Sequence, residues 1–199
     1  MSRRSAEERR EELIEAAIKV MIREGVAKAT TRAIVAEAGL PLGAFHYCFR
    51  SKEELLQSVV ERIMQGALAP AVAAGVEGAS VAEVVRDTLH AYWDRIRATP
   101  EEHLLTYELT QYALRQPGLA EVARHQYGRY LEVNRESLAT MARLAGFEWS
   151  VPLPTLTRYG LAVLDGLTLN WLIDRDDEAA SAALDEYAQY LISVALAPR

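Results

Sequence analysis

An all-α fold of nine helices is what this sequence predicts, and three observations predict it. Beyond Ser80 every long apolar pattern recurs at the helical period and none alternates as a strand would. Gly25, Gly39, Pro41, Pro100, Pro117-Gly118 and Gly146 punctuate the chain at spacings that suit helices joined by short turns. Half of the 199 residues are apolar, enough for a substantial core.

The first helix starts at Ser5, where Ser5 and Glu8 have the spacing of a capping box, and runs to Glu24 before Gly25 ends it. Its Leu13, Ala17, Val20 and Met21 share one face. Thr30 and Thr31 can cap a second helix through Ala38, because a threonine hydroxyl accepts from the unpaired amides of a first turn. Gly39 stops that helix, and Pro41 carries the fixed φ suited to opening the next. In this third helix, about Leu42 to Phe49, the period turns Phe45, Cys48 and Phe49 inward and leaves Gly43, Ala44, His46 and Tyr47 outside. Ser51 and Glu54 then form a second capping-box pattern, opening a fourth helix whose apolar residues Leu55, Leu56, Val59, Val60, Ile63 and Met64 carry it to Pro70. Gly66 to Ser80 ends it and leads into the body. Five more helices follow, at about Val81–Ala98, Pro100–Arg115, Leu119–Ala145, Pro154–Ile173 and Glu178–Leu196.

Two short helices across a tight turn have the shape of a DNA-reading helix-turn-helix. Lys52 stands in the first turn of the fourth helix, where a cation opposes the dipole at a cost of a few tenths of a kcal/mol. A phosphate at that helix end would offset the cost. The run from Thr30 to Leu55 holds Thr-Thr, Ala-Gly, Gly-x-Phe, aromatic-x-x-Phe and Ser-Lys-Glu-Glu-Leu elements in fixed spacing. With the stretch back to about Arg9, it resembles the DNA-binding domain of the tetracycline-repressor (TetR) family. The resemblance implies a nine-helix TetR-like fold: a three-helix helix-turn-helix head (residues 1–50) on a helical ligand-binding and dimerisation domain (51–199), with the fourth helix as connector. It also implies DNA contacts from Thr30, Thr31, Arg32, Pro41, Leu42, Gly43, Ala44, His46, Tyr47 and Lys52. Of these, Thr31, Tyr47 and Lys52 stand at phosphate positions, and Pro41 through His46 supply base contacts. Leu42, His46 and Cys48 depart from the family, which more often has a polar residue, tyrosine and histidine there. Arg3 and Arg4 form a basic arm, read as a solvated terminus, although such arms reach the minor groove in some family members.

The net charge of −6 divides to suit a basic head on an acidic body: residues 1–52 hold 10 Lys/Arg against 7 Asp/Glu, net +3, and the rest 12 against 21, net −9. The single Cys48 excludes an internal disulfide and, with no clustered histidines, argues against a structural zinc site. The charged start MSRRSAEERREEL lacks the apolar stretch of a signal peptide, and the longest uncharged run, Ile63 to Val76, is too short and too broken to span a bilayer. A cytoplasmic protein with no membrane association, metal or cofactor is the expectation.

Most histidines sort onto wet faces: His90 with Glu83, Asp87 and Asp94, and His125 with Glu121, Arg129 and Glu132. His46 faces the DNA, and His103, at a helix start, reads as a surface residue. The same sorting finds polar groups embedded in apolar faces: Tyr92, Thr106, Thr110, Tyr127, Tyr130, Asn134 and Asn170. A buried polar group without a partner costs about 1–3 kcal/mol, so each is bonded to neighbouring protein or water, or serves as a polar anchor of a small-molecule cavity. With Tyr107 they form the candidate effector pocket, which the family places among its fourth to eighth helices. Few charges point inward, suiting a small neutral or amphipathic effector. The eighth helix is apolar nearly all round, and the ninth carries Ala180, Leu184, Tyr187, Leu191 and Val194 at heptad-like intervals. These two helices either complete the monomer core or pair with their copies in a homodimer, as in the family.

A ligand-controlled transcriptional regulator, most often a repressor in this family, is the function implied. No Glu-x-x-His pair, phosphate-binding glycine loop or activated nucleophile supports an enzyme. A helix-turn-helix protein without a ligand is the remaining alternative.

Overall fold

A computed structural model of the chain describes residues 5–73 and 79–196, with backbone alone for 65–73. The basic arm Arg3-Arg4 and the middle of the Gly66–Ser80 connector lie outside the described residues. Nine α-helices are described: α1 (Ala6–Glu24), α2 (Thr31–Glu37), α3 (Leu42–Cys48), α4 (Lys52–Ala73), α5 (Val81–Ala98), α6 (Pro100–Arg115), α7 (Ala120–Ala145), α8 (Leu153–Asp174) and α9 (Asp177–Ser193). A single 3-10 turn, Val26–Lys28, and two two-residue strands, β1 (Glu148–Trp149) and β2 (Ala195–Leu196), complete them. None of the described helices is long and apolar enough to cross a membrane.

The caps explain most of the boundaries. Ser5 and Glu8 form the reciprocal capping box, and Ser80 and Glu83 form another at the start of α5. The Thr30 hydroxyl accepts from the Ala33 amide at 3.2 Å, and Gly39 takes φ +64°, a left-handed turn where a side chain would strain the backbone. The Ser51–Glu54 box forms by half. Ser51 Oγ accepts from the Glu54 amide at 3.1 Å, but the Glu54 carboxylate accepts from the Arg50 amide (2.9 Å) and Arg10 (2.9 Å) instead of reaching back to Ser51.

Two helix ends and a short strand pair correct the sequence reading. α4 runs past Pro70 to Ala73, because a proline in the last turn forfeits one ladder bond without cutting the turns before it. α9 stops at Ser193, short of Leu196, and the chain then pairs β2 antiparallel with β1, Glu148 opposite Leu196 and Trp149 opposite Ala195. Two residues are too few to show strand alternation in a sequence. The pair is tied down by Trp149 Nε1, which donates to the Leu138 carbonyl at 3.0 Å.

The described chain gathers into two compact units that are not consecutive in sequence. The first holds the residues up to Gln65 with Glu101–Tyr127; the second holds Gly66–Pro100 and everything from Gly128. In the first, α1 packs on α2, α3 and the 3-10 turn, and α2 on α3, over a core that includes Leu13, Val20, Met21, Ile34, Phe45, Phe49, Leu55 and Leu109. α1 buries its predicted residues Leu13, Ala17, Val20 and Met21.

In the second unit α9 packs on α5 and α8, around Val85, Trp93, Leu156, Leu164, Trp171 and Leu184. Ala180, Leu184, Tyr187 and Leu191, the stripe read as a possible pairing face, are buried here within the chain's own core. Periodicity identifies a face that must be covered; here α5 and α8 supply the cover.

Candidate functional site

The candidate DNA-contact surface is assembled by contacts that hold α3 from behind. Phe45 and Phe49 point inward, their ring centroids 5.6 Å apart, while Cys48 is half-buried. The Arg10 guanidinium of α1 lies 4.3 Å from the Phe49 ring centroid and donates to the Cys48 carbonyl (2.8 Å), Glu54 Oε1 (2.9 Å) and Ser58 Oγ (2.8 Å). One side chain thus ties α1 to the end of α3 and the start of α4, and a planar five-donor group is what such a junction requires. The Arg50 amide and then Arg10 hold the Glu54 carboxyl below its ordinary range. Its contribution is therefore present above the ordinary carboxylate pKa and fades as pH falls through the lowered one. Burial pushes the Cys48 thiol up, against the pull of Arg9 and Arg10.

Held this way, α2 and α3 present most of the predicted DNA contacts to solvent. Thr30, Arg32, Pro41, Leu42, Gly43, His46 and Tyr47 are exposed, Tyr47 to 71%, and Thr31 is half-buried. The His46 ring meets Phe45 edge-on at 5.6 Å, which braces it without covering it. Ala44 departs from the prediction: it is only 9% exposed. Both α1 and α2 pack against α3, so the covered face is wider than the apolar stripe alone indicates. Lys52 is half-buried, with its Nζ 3.2 Å from Tyr112 Oη.

The predicted pocket residues divide between the units, four in each. In the first, Thr106 and Thr110 are buried with their hydroxyls satisfied. Thr106 donates to the His103 carbonyl at 2.7 Å, and the single Thr110 hydroxyl proton has two acceptors in reach, the Thr106 carbonyl at 3.0 Å and Gln126 Oε1 at 3.2 Å. Gln126, 1% exposed, returns a bond from Nε2 to the Thr106 carbonyl at 3.1 Å. Tyr107 and Tyr127 are half-buried.

In the second unit, Tyr92 on α5 lies 3.5 Å from Thr168 Oγ1 on α8; Thr168 spends its own proton on the Leu164 carbonyl, which leaves Tyr92 as donor. Burial is the main cause pushing the Tyr92 phenol up to about 12, with Tyr130 and Asp165 adding to it against the Thr168 bond. Asn134 donates to the Thr157 carbonyl at 2.7 Å. Asn170 is a correction, because it is exposed. α8 is apolar nearly all round, so the sequence offers no broad wet face by which to orient it. Its inner side is set by Leu156, Gly160, Leu164, Thr168 and Trp171, and Asn170 falls on the other.

His125 also corrects the reading. It is half-buried, and its Nε2 lies 2.7 Å from Glu61 Oε1 on α4. The pair borders an open cleft of about 340 Å³ lined by Arg10, Glu54, Ser58, Glu61, Arg62 and His125 among others. Arg62 there is paired to Glu11 (3.1 Å) and Glu15 (2.8 Å), so ion pairs line this cleft. Arg10, Gln126 and Thr168 were missed by sequence reasoning; Gln126 and Thr168 are polar within apolar helix faces, the signal that singled out Tyr92 and Thr106, whereas Arg10 stands in a charged run that gives no such signal. Among the described residues no group of side chains has the makeup of a metal site.

The model of bacterial regulatory proteins of the tetR family matches residues 13–59, and that of the BetI-type transcriptional repressor C-terminal domain matches residues 81–193. The nicotine-responsive transcriptional repressor HdnoR of Paenarthrobacter nicotinovorans is 28% identical over 174 residues, 87% of this chain and 88% of that protein. Among solved structures, the multidrug binding protein EbrR complexed with imidazole is 27% identical with a TM-score of 0.67, covering 96% of this chain and 97% of that one. A transcriptional regulator from Rhodococcus sp. Rha1 shares the fold at 22% identity and a TM-score of 0.73, covering 95% and 99%.

Proposed function

The chain belongs to the tetR family of bacterial regulatory proteins and is a DNA-binding transcriptional regulator, not an enzyme; on that premise we propose a repressor that binds a palindromic operator as a homodimer and leaves it when a small effector binds. The observation that carries the reading is the outward set on α3, Leu42, Gly43, His46 and Tyr47, beside Lys52 at the opening of α4. Small and hydrogen-bonding groups on an exposed second helix can lie along base edges, while the cation meets the backbone. Thr30, Thr31, Arg32 and Pro41 flank that face and complete the proposed contacts.

The effector is a small, mostly apolar or amphipathic molecule. The partly buried Tyr92, Tyr130 and Asn134 of the second unit support this, as does a nicotine-responsive relative matching most of the chain. Release follows if the effector favours a conformation whose two heads no longer match adjacent major grooves, about 34–36 Å apart.

The homodimer forms through α8 and α9 in this reading, which is supported on α8 by Ala162, Gly166, Leu169 and Ile173 in one exposed stripe, Ile173 exposed to 75%. Such a face of small and apolar residues suits close approach by its own copy. Gly166→Arg is expected to yield a monomer by light scattering, with unchanged helix content and most operator affinity lost. A dimer that persists would place the interface elsewhere.

Selecting bound fragments from random duplex DNA tests the central claim: a palindrome is expected, and the absence of any enriched sequence would overturn it. Lys52→Ala is expected to weaken binding to all sequences alike and to flatten the salt slope by about one unit. A changed sequence preference at constant salt slope would remove Lys52 from the phosphate contacts.

A further inference from the structure

α6 reaches the helix-turn-helix at two polar points within the first compact unit. Glu108 and Tyr112, one helical turn apart, share a face of α6. Glu108 Oε1 accepts from the Val26 amide at 2.7 Å, in the turn between α1 and α2. A Cβ at the preceding Gly25 would come within 3.0 Å of the same oxygen, and Gly25 takes φ +88°, so glycine there both shapes the turn and admits the carboxylate. Tyr112 takes the second point, with its ring centroid 4.9 Å from Lys52 Nζ and its Oη 3.2 Å from it.

That second contact answers a question posed by the sequence. Lys52 is the first residue of α4, where the positive end of the helix dipole pushes an ammonium away, and a lysine stem has many rotamers in which to retreat. Tyr112 supplies an electron-rich ring face and a hydroxyl acceptor, both of which attract the cation. An ammonium has three donors, and the hydroxyl occupies one. Two remain for a phosphate.

We propose that Tyr112 is a positioning residue for DNA binding: it stations the Lys52 ammonium at the mouth of α4, so that α6 takes part in holding DNA although no part of α6 belongs to the helix-turn-helix. The proposal rests on Lys52 as a phosphate contact. Any displacement of α6 that draws Tyr112 away would weaken binding without altering the reading face.

The test is a double-mutant cycle in the full-length chain, by fluorescence anisotropy with a labelled random-sequence duplex over a salt series. Tyr112→Ala is expected to weaken binding about three- to tenfold in the parent and less than twofold in a Lys52→Ala background, because the two residues act as a unit. Tyr112→Phe, which keeps the ring and conserves the fold, is expected to lose less, again only when Lys52 is present. A loss of equal size in both backgrounds means that Tyr112 is merely structural, and binding of both variants at parental strength means that it does nothing for Lys52; either result overturns the proposal. If Lys52→Ala leaves the salt slope unchanged, the phosphate contact falls and the proposal with it. If that slope flattens while the Tyr112 effects are additive, only the role of Tyr112 falls.

Discussion

Phe49→Ala is expected to abolish measurable operator binding and to destabilise the protein by about 3–5 kcal/mol, the range for truncating a buried aromatic ring. Phe49 is 1% exposed, closes α3 with its backbone amide donating to the Phe45 carbonyl at 2.8 Å, and presents its ring to both Phe45 and the Arg10 guanidinium. Removing it opens a cavity directly behind the reading helix and takes away the surface over which Arg10 is laid. Arg10 would then lose a cation–π contact worth about 0.5–2 kcal/mol, and its bonds to Cys48, Glu54 and Ser58 would lose their common anchor. A seven-residue helix has no independent stability, so its orientation depends wholly on this packing. Denaturant unfolding followed by circular dichroism gives the first quantity, and anisotropy with a selected duplex the second. Phe49→Leu, which keeps most of the volume, should retain binding within about tenfold. If Phe49→Ala binds at parental strength and loses less than about 1 kcal/mol, α3 is positioned by something else.

Much of this arrangement is legible in the sequence because it is local. The caps at Ser5 and Thr30, the stop at Gly39, the inward pair Phe45 and Phe49 and the outward His46 and Tyr47 depend on residues within four or five positions of one another. What could not be read is non-local. His125 lies in a polar row with Glu121 and Arg129, and nothing in that row reveals Glu61, 64 residues away, as its partner. Arg10 reads as one more charge on a charged helix until α3 and α4 fold against it. The same limit applies to the α9 stripe, which the chain's own core covers, and to Asn170: an amphipathic period says how a helix divides but not what covers it, and a helix apolar nearly all round hardly divides at all. Charge behaves likewise, since Glu54 has the spacing of a capping box and yet serves Arg10 and Arg50.

The two glycines of α8 show this most sharply, and Gly160→Val should separate them. Gly160 and Gly166 read alike in sequence, each costing a helix about 0.5–1 kcal/mol relative to alanine. Around Gly166 nothing lies within 4 Å of where a Cβ would be, whereas at Gly160 that atom would collide with Tyr187 Oη and come within 2.9 Å of Asn134 Nδ2. Neither neighbour can withdraw easily. Tyr187 is buried on α9 with Tyr159 edge-on at 6.2 Å, and Asn134 is held by its 2.7 Å bond to the Thr157 carbonyl. Burial also pushes the Tyr187 phenol up, so it stays neutral through the physiological range and offers no charge whose hydration could draw it outward. Valine at 160 would gain a few tenths of a kcal/mol in helix propensity and lose more to overpacking, for a net destabilisation of about 2–3 kcal/mol. In a chain of this length that corresponds to a thermal midpoint lower by roughly 5–10 °C. Adding Tyr187→Phe removes the nearest atom and should restore part of the loss, a coupling that two independent defects would not show. Should Gly160→Val melt at the parental temperature, α8 and α9 would have to sit farther apart than the contact between Gly160 and Tyr187 requires.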